Sequence, residues 1–187
     1  MATGAASAVR AASPSPSSLP SPSVPTGWQA YTDQKFAFAI SYPTDFVVQD
    51  GTVGSLPPPW LFELRIADKR YATGGAPGQI EIGIYTRDAD TPGAWVQKHT
   101  GPCSGPNTNA FFWDKTGNLQ TLTAAGRDAV SFDLDMSSCG GLALTLHETV
   151  LLLGSKYVLR FDWWSKDSAY SRTLEPIAQQ MLSTLRD

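Results

Sequence analysis

The chain is poor in the residues that carry most protein chemistry: among 187 residues it has two histidines and two cysteines, and only 17% of its residues are charged. Its net charge of -3 is small and the carriers are scattered. No basic stripe exists to neutralise phosphates, which excludes nucleic acid as a partner. No apolar run reaches the length of a membrane span, and the longest, Thr149-Val150-Leu151-Leu152-Leu153, stops at Gly154. There is no Gly-x-Ser-x-Gly nucleophile elbow. Thr73-Gly74-Gly75 lacks the lysine and following helix that a phosphate loop needs. A zinc site takes three or four His, Cys, Asp or Glu ligands, and no clustered spacing of these occurs. No metal and no cofactor is expected.

What the chain does have is a sharp division. Residues 1–26 are rich in Ser, Pro and Ala and have too little apolar content to fold alone, so they read as a disordered tether. Proline favours extended backbone, which suits a spacer holding a domain off a surface. Met1-Ala2-Thr3-Gly4-Ala5-Ala6-Ser7 has no hydrophobic segment, so the expectation is that Met1 stands in place of a removed export signal, with membrane proximity through a lost N-terminal anchor. Residues 27–187 make one domain, able to bury about 70% of its unfolded surface. Its low charge suits a secreted, extracytoplasmic protein, and the tether suits one anchored at a membrane.

Cys103 in Gly101-Pro102-Cys103-Ser104-Gly105-Pro106 and Cys139 in Ser138-Cys139-Gly140-Gly141 both lie in turn-forming loops. Buried structural thiols sit instead among aliphatic residues. The pair reads as one disulfide, permitted by export and worth roughly 3 to 4 kcal/mol in the chain-entropy picture. Two free thiols are the alternative.

Period-two patterns then dominate. Trp28 to Thr32 and Phe36 to Tyr42 form an opening hairpin that ends at Pro43, followed by a loop through Phe46. Strands follow at Leu61–Ala67 and at Gln79–Tyr85, where Ile80, Ile82 and Ile84 point inward. Thr91-Pro92 caps and starts a short helix to His99. Further strands cover Leu119–Ala124, Asp128–Met136, Leu142–Leu152 and Lys156–Trp163, an antiparallel meander with a tight Gly154-Ser155 turn. A helix from Ser168 to Leu185 closes the chain, its Leu174, Ile177, Ala178, Met181, Leu182 and Leu185 forming an apolar stripe. The fold class is α+β, a central antiparallel sheet flanked by helices, with a long C-terminal helix.

Trp28-x-x-Tyr31 followed by Phe36-Ala37-Phe38-Ala39-Ile40-Ser41-Tyr42-Pro43, the Gly154-Ser155-Lys156-Tyr157-Val158-Leu159 hairpin and the terminal Gln180-Met181-Leu182-Ser183-Thr184-Leu185 resemble the PsbP/Mog1-like fold. That group includes the photosystem II extrinsic subunit and many bacterial lipoproteins of unknown role. The resemblance spans Trp28 to Leu185 and implies an α/β/α sandwich with a non-enzymatic binding or assembly role at a membrane surface. It carries no catalytic motif across.

Few polar residues stand out. His147 lies opposite the Leu142, Leu144 and Leu146 face, while His99 ends the short helix; each reads as a satisfied surface histidine. Asp133 and Asp135 share a strand face and could bind a hard cation or act as acid and base, yet Phe132, Leu134 and Met136 mark the core side, so the aspartates read as solvated alternates. Asp162 reads as a strand end. Trp60 after three prolines, together with Trp163-Trp164, suggests a docking patch for a partner, glycan or peptide. The expected function is a non-catalytic binding or assembly module, a monomer recognising an envelope protein. The alternatives are a small-ligand carrier or sensor with a Trp-lined pocket, and a hydrolase using Asp133, Asp135 or His147.

Overall fold

Alternating apolar residues and turn signals set the elements of the structure, a computed structural model that describes residues 24–50, 60–71, 75–101, 112–113, 116–136 and 144–187. The expected Cys103–Cys139 disulfide and most of the leader lie outside these residues. A hairpin opens the domain, β1 (Trp28–Asp33) pairing antiparallel with β2 (Phe38–Pro43). Its turn is held by the Phe36 amide donating to Asp33 Oδ1 at 2.9 Å. The loop expected after Pro43 shrinks to Thr44-Asp45, and a strand missed in the sequence follows at once, β3 (Phe46–Asp50).

β4 (Trp60–Asp68), β5 (Gly78–Thr86) and the short helix α1 (Pro92–Lys98) come next. Thr91 caps α1 as expected, its Oγ1 accepting from the Ala94 amide at 3.1 Å. A two-residue parallel bridge joins β6 (Thr100–Gly101) to β7 (Phe112–Trp113). The chain then builds β8 (Thr116–Ala124), β9 (Arg127–Asp135), β10 (Thr145–Leu153) and β11 (Tyr157–Ser165), and ends in helix α2 (Ser168–Ser183). β10 is described from Thr145, the Met136 amide donating to the Leu144 carbonyl at 3.0 Å just beyond it, and Leu142 and Ala143 of the expected strand lie outside the described residues.

Seven strands form one antiparallel sheet in the order β3-β4-β5-β11-β10-β9-β8. It is two meanders joined where β5 pairs with β11, and the one expected from Leu119 to Trp163 is formed by β8, β9, β10 and β11. Both faces are covered. On one, α2 and the β1–β2 hairpin pack over Ile80, Ile82, Ile84, Phe161 and Leu151. Each fully buried isoleucine contributes about 1.5–3 kcal/mol. On the other face Trp95 and Val96 of α1 pack against Tyr85, Val130, Val150 and Val158.

The hairpin and α2 are stitched together at their ends. Ala39 and Arg186 exchange two backbone bonds at 2.9 Å, and the buried Thr184 hydroxyl accepts from the Ser41 amide at 2.9 Å. Asp167 starts α2 by accepting from the Ala169 and Tyr170 amides. Among the described residues no helix is long and apolar enough to cross a membrane.

The β8–β9 hairpin turns on Ala125 and Gly126, with φ of 52° and 77°. Positive φ at both central positions is the type I′ pattern, and alanine is strained there by its Cβ. Ala125→Gly is expected to raise stability by about 1 kcal/mol, read as an upward shift of the urea midpoint at unchanged slope.

Candidate functional site

The strand registers bring three side chains abreast on the α2 face. His147 stands opposite Asp133 on one side and opposite Trp163 on the other. His147 Nδ1 lies 2.7 Å from Asp133 Oδ1. Its ring stacks on the Trp163 indole at 4.1 Å between centroids and 21° between planes. The imidazole is thus fixed in both position and plane. One row along the sheet, Gln120, Ser131 and Thr149 stand side by side. Above them α2 presents Glu175 and Gln179, one turn apart. Together these groups line a partly open polar cleft of about 230 Å³ between sheet and helix.

The residues singled out by sequence are only partly brought together. Asp133 and His147 meet, both about 40% exposed, so they are neither solvated alternates nor buried core. Asp135 lies exposed at the end of β9, opposite Thr145. His99 packs on Trp95 at 4.5 Å and lies 3.1 Å from Asp88. Burial works to raise the Asp88 carboxyl, but bonds from Lys98 and His99 outweigh it and hold the group below its ordinary range. The three tryptophans do not share a surface. Trp163 is buried on the α2 face, whereas Trp60 and Trp164 pack on the other, because adjacent strand residues point to opposite sides. Trp60, opposite Tyr85, stacks on it at 5.7 Å, and Trp164 stands opposite Gln79 at the far end of β5, about 20 Å away. Among the described residues no group of three or more His, Cys, Asp or Glu is arranged to hold a metal ion.

A second polar cluster, missed in the sequence, is buried on the α1 face. Arg160 grips Glu148 through two bonds of 2.5 and 2.6 Å and reaches Asp162 Oδ2 at 3.3 Å. Glu148 and Asp162 are each 1% exposed. The Tyr85 hydroxyl lies 3.3 Å from Arg160, its ring lying back over Gly83, where a Cβ would sit 2.7 Å from it. Arg65 and Glu63 extend the row across β4, paired at 2.7 Å, with Glu81 between them and Asp162. Asp162 is not a strand end, since β11 runs on to Ser165.

One arginine here faces two buried carboxylates. Glu148 takes its fork in the bidentate geometry that matches carboxylate. Asp162 is the surplus acid, and its Oδ1 has no hydrogen-bond partner. Burial pushes its carboxyl well above the ordinary range, more than Arg160 pulls it down. Burial likewise raises Glu81, against Arg160, and takes the Tyr85 hydroxyl up to about 12. Burial also opposes the charge of Arg160, but Asp162 and Glu148 outweigh it and hold the guanidinium charged. The signal for this cluster was present as Glu63, Arg65, Glu148, Arg160 and Asp162 alternating with apolar residues. Such alternates read as solvent-facing unless the second face is known to be covered.

With this geometry in hand, comparison with known proteins is informative for fold. The chain matches no family model and no curated protein sequence. It is similar to the solution structure of cyanobacterial PsbP (CyanoP) from Synechocystis sp. PCC 6803, with 12% identity and a TM-score of 0.53, covering 86% of this chain and 92% of that one. It also aligns with the crystal structure of LpqN, involved in cell envelope biogenesis of Mycobacterium tuberculosis, at 14% identity and a TM-score of 0.47, covering 88% of each chain. The chain has the PsbP-like fold that its sequence motifs implied.

Two predictions follow from the buried cluster. Arg160→Met leaves the buried Glu148 without its counter-charge and is expected to lower unfolding stability by about 3–5 kcal/mol in urea titrations. Burial holds the Asp162 carboxyl well above its ordinary range in the folded protein, whereas unfolded it ionises near pH ~4. A raised folded pKa gives stability that is complete below the unfolded value and is lost as pH rises through the folded one. Asp162→Asn abolishes that loss, so its stability relative to the parent is expected to grow from pH ~4 upward. A difference that is flat with pH contradicts the assignment.

Proposed function

We propose that this protein is a non-catalytic binding or assembly module held outside the cytoplasm at the cell envelope, with residues 1–26 as tether and the cleft between α2 and the sheet as its contact site. The observation that carries this reading is the cleft itself. Its polar groups stand on β8, β9, β10 and α2 rather than on loops, and His147 is locked by a ring stack and a hydrogen bond. Prearranged polar groups fix orientation and specificity at binding sites. The tether, the low charge and the two loop cysteines support the envelope location, as does the lipoprotein membership of the fold group that the sequence resembles. Lipidation and the Cys103–Cys139 disulfide belong to the same proposal.

A second reading is a small-ligand carrier or sensor. The expected Trp-lined mouth is not formed, since Trp60 and Trp164 lie across the sheet from Trp163. An apolar hollow of about 250 Å³ exists instead between the β1–β2 and β10–β11 turns, lined by Phe36, Leu153 and Tyr157. A retained apolar mass in native mass spectrometry, lost on Leu153→Trp, favours this reading.

The leading proposal is tested by photo-crosslinking in the native host. A crosslinker replacing Gln179 is expected to give an envelope-fraction adduct that disappears in the Asp133→Asn, His147→Asn protein, while a crosslinker at Asp90 beside α1 gives none. Equal adducts at both positions, or a protein confined to the cytosolic fraction, contradict it.

A further inference from the structure

One lining residue of the cleft, Gln120, stands on β8, an edge strand of the sheet. Sheet edges are ordinarily blunted by charge, proline or short length, because their unpaired backbone groups invite another strand. At the β3 edge the strand has five residues, and Gln29 Nε2 donates to the Phe46 carbonyl at 3.4 Å. At the β8 edge the strand has nine residues, Thr116-Gly117-Asn118-Leu119-Gln120-Thr121-Leu122-Thr123-Ala124, with no charge and no proline. Among the described residues no strand lies beyond it. A bulge between Gly117 and Gln120 leaves Gln120–Ala124 as the regular template. Leu119, 47% exposed, is one of the few large apolar side chains left on the surface.

The row containing Asp133 decides what such a strand would carry. β8 contributes Gly117 to that row, so no side chain stands between the open edge and Asp133, His147 and Trp163. Asp133 lies two strand spacings from an added strand, about 10 Å. Only a long side chain meeting the carboxylate spans that distance, and lysine and arginine are long, flexible and positive. The cleft offers Asp133, beside His147, and Glu175 to a cation, and among the described residues no lysine or arginine lines it. Glu148, next to His147 on β10, turns its carboxylate to the opposite face of the sheet, where Arg160 holds it.

We infer that the β8 edge takes up an extended peptide segment of a partner as an eighth strand, with one lysine or arginine of that segment entering the cleft beside Asp133 and Glu175. Main-chain bonds supply affinity in strand addition, and pockets for alternate side chains supply specificity. The residues next to the basic one face the opposite side of the sheet, where an apolar side chain covers Leu119. This inference rests on the binding reading above and names the partner's chemistry.

The test uses the full chain and an acetylated, amidated Val-Thr-Val-Lys-Val-Thr-Val peptide, followed by amide and indole NMR shifts. Saturable shifts are expected along Gln120–Ala124 and at the Trp163 indole, lost when alternate peptide nitrogens are methylated. Glu175→Gln, an exposed change that leaves the fold intact, is expected to weaken binding roughly threefold to fivefold, as is a glutamate in place of the peptide lysine. Binding that survives N-methylation marks a cleft interaction without strand pairing and overturns the inference. So do shifts that track protein concentration without peptide, which mark a second copy at the edge. Saturation at other residues, or an unmoved β8 at millimolar peptide, also overturns it, while the envelope-binding reading stands or falls on its own crosslinking test.

Discussion

The pairing of β5 with β11 is the constraint on which the rest of the molecule depends. Gly78–Thr86 lies beside Tyr157–Ser165 in unbroken register, and this seam alone joins the β3-β4-β5 meander to the β8–β11 meander. The two strands are far apart in sequence, so closing the seam costs loop entropy before its contacts form. Once formed, it places Ile80, Ile82 and Ile84 beside Trp163, Phe161 and Leu159 under α2, and sets Glu81 beside Asp162 on the other face. Gly78 belongs to this seam for a steric reason, since a Cβ there would lie 2.4 Å from the Trp164 carbonyl oxygen.

A sheet covered on both faces has no solvent side on which to leave its polar alternates. The protein meets that problem differently on each face. On the α1 face the charges are paired and buried, with Arg160 held by Glu148 and Asp162 left as the surplus acid. Buried ion pairs of this kind add little net stability against an apolar replacement, yet removing one partner is severe, so the row fixes register more than it adds to stability. On the α2 face the polar residues gather under the middle of α2, at Glu175 and Gln179, and there they line a cleft rather than filling a core. The difference between a structural and a binding role for these charges is therefore one of access, since the two sets come from the same strands.

Much of the fold was legible in the sequence. Ile80, Ile82 and Ile84 announced a buried strand, Thr91-Pro92 the start of α1, Gly154-Ser155 a tight turn, and the Leu174 to Leu185 stripe a packed terminal helix. β3 was missed because Val47 and Val48 are too short a run to separate from a loop. Less of the site could be read. Asp133 and His147 were singled out, but their meeting depends on the β9–β10 register, which no local pattern specifies. Trp60, Trp163 and Trp164 were grouped as one patch, and the grouping failed because adjacent strand residues point to opposite faces. Asp162 was taken for a strand end because the aromatic pair after it hid the continuation to Ser165.

The account places recognition at the α2 face and the β8 edge, and hydrogen exchange tests that placement most directly. The full chain is exchanged with and without solubilised envelope from its own host, and protection is read residue by residue. Slowed exchange is expected to be confined to β8, β9 and the Glu175–Gln179 stretch of α2. Slowed exchange at α1 and the surrounding face, with β8 unchanged, would contradict it.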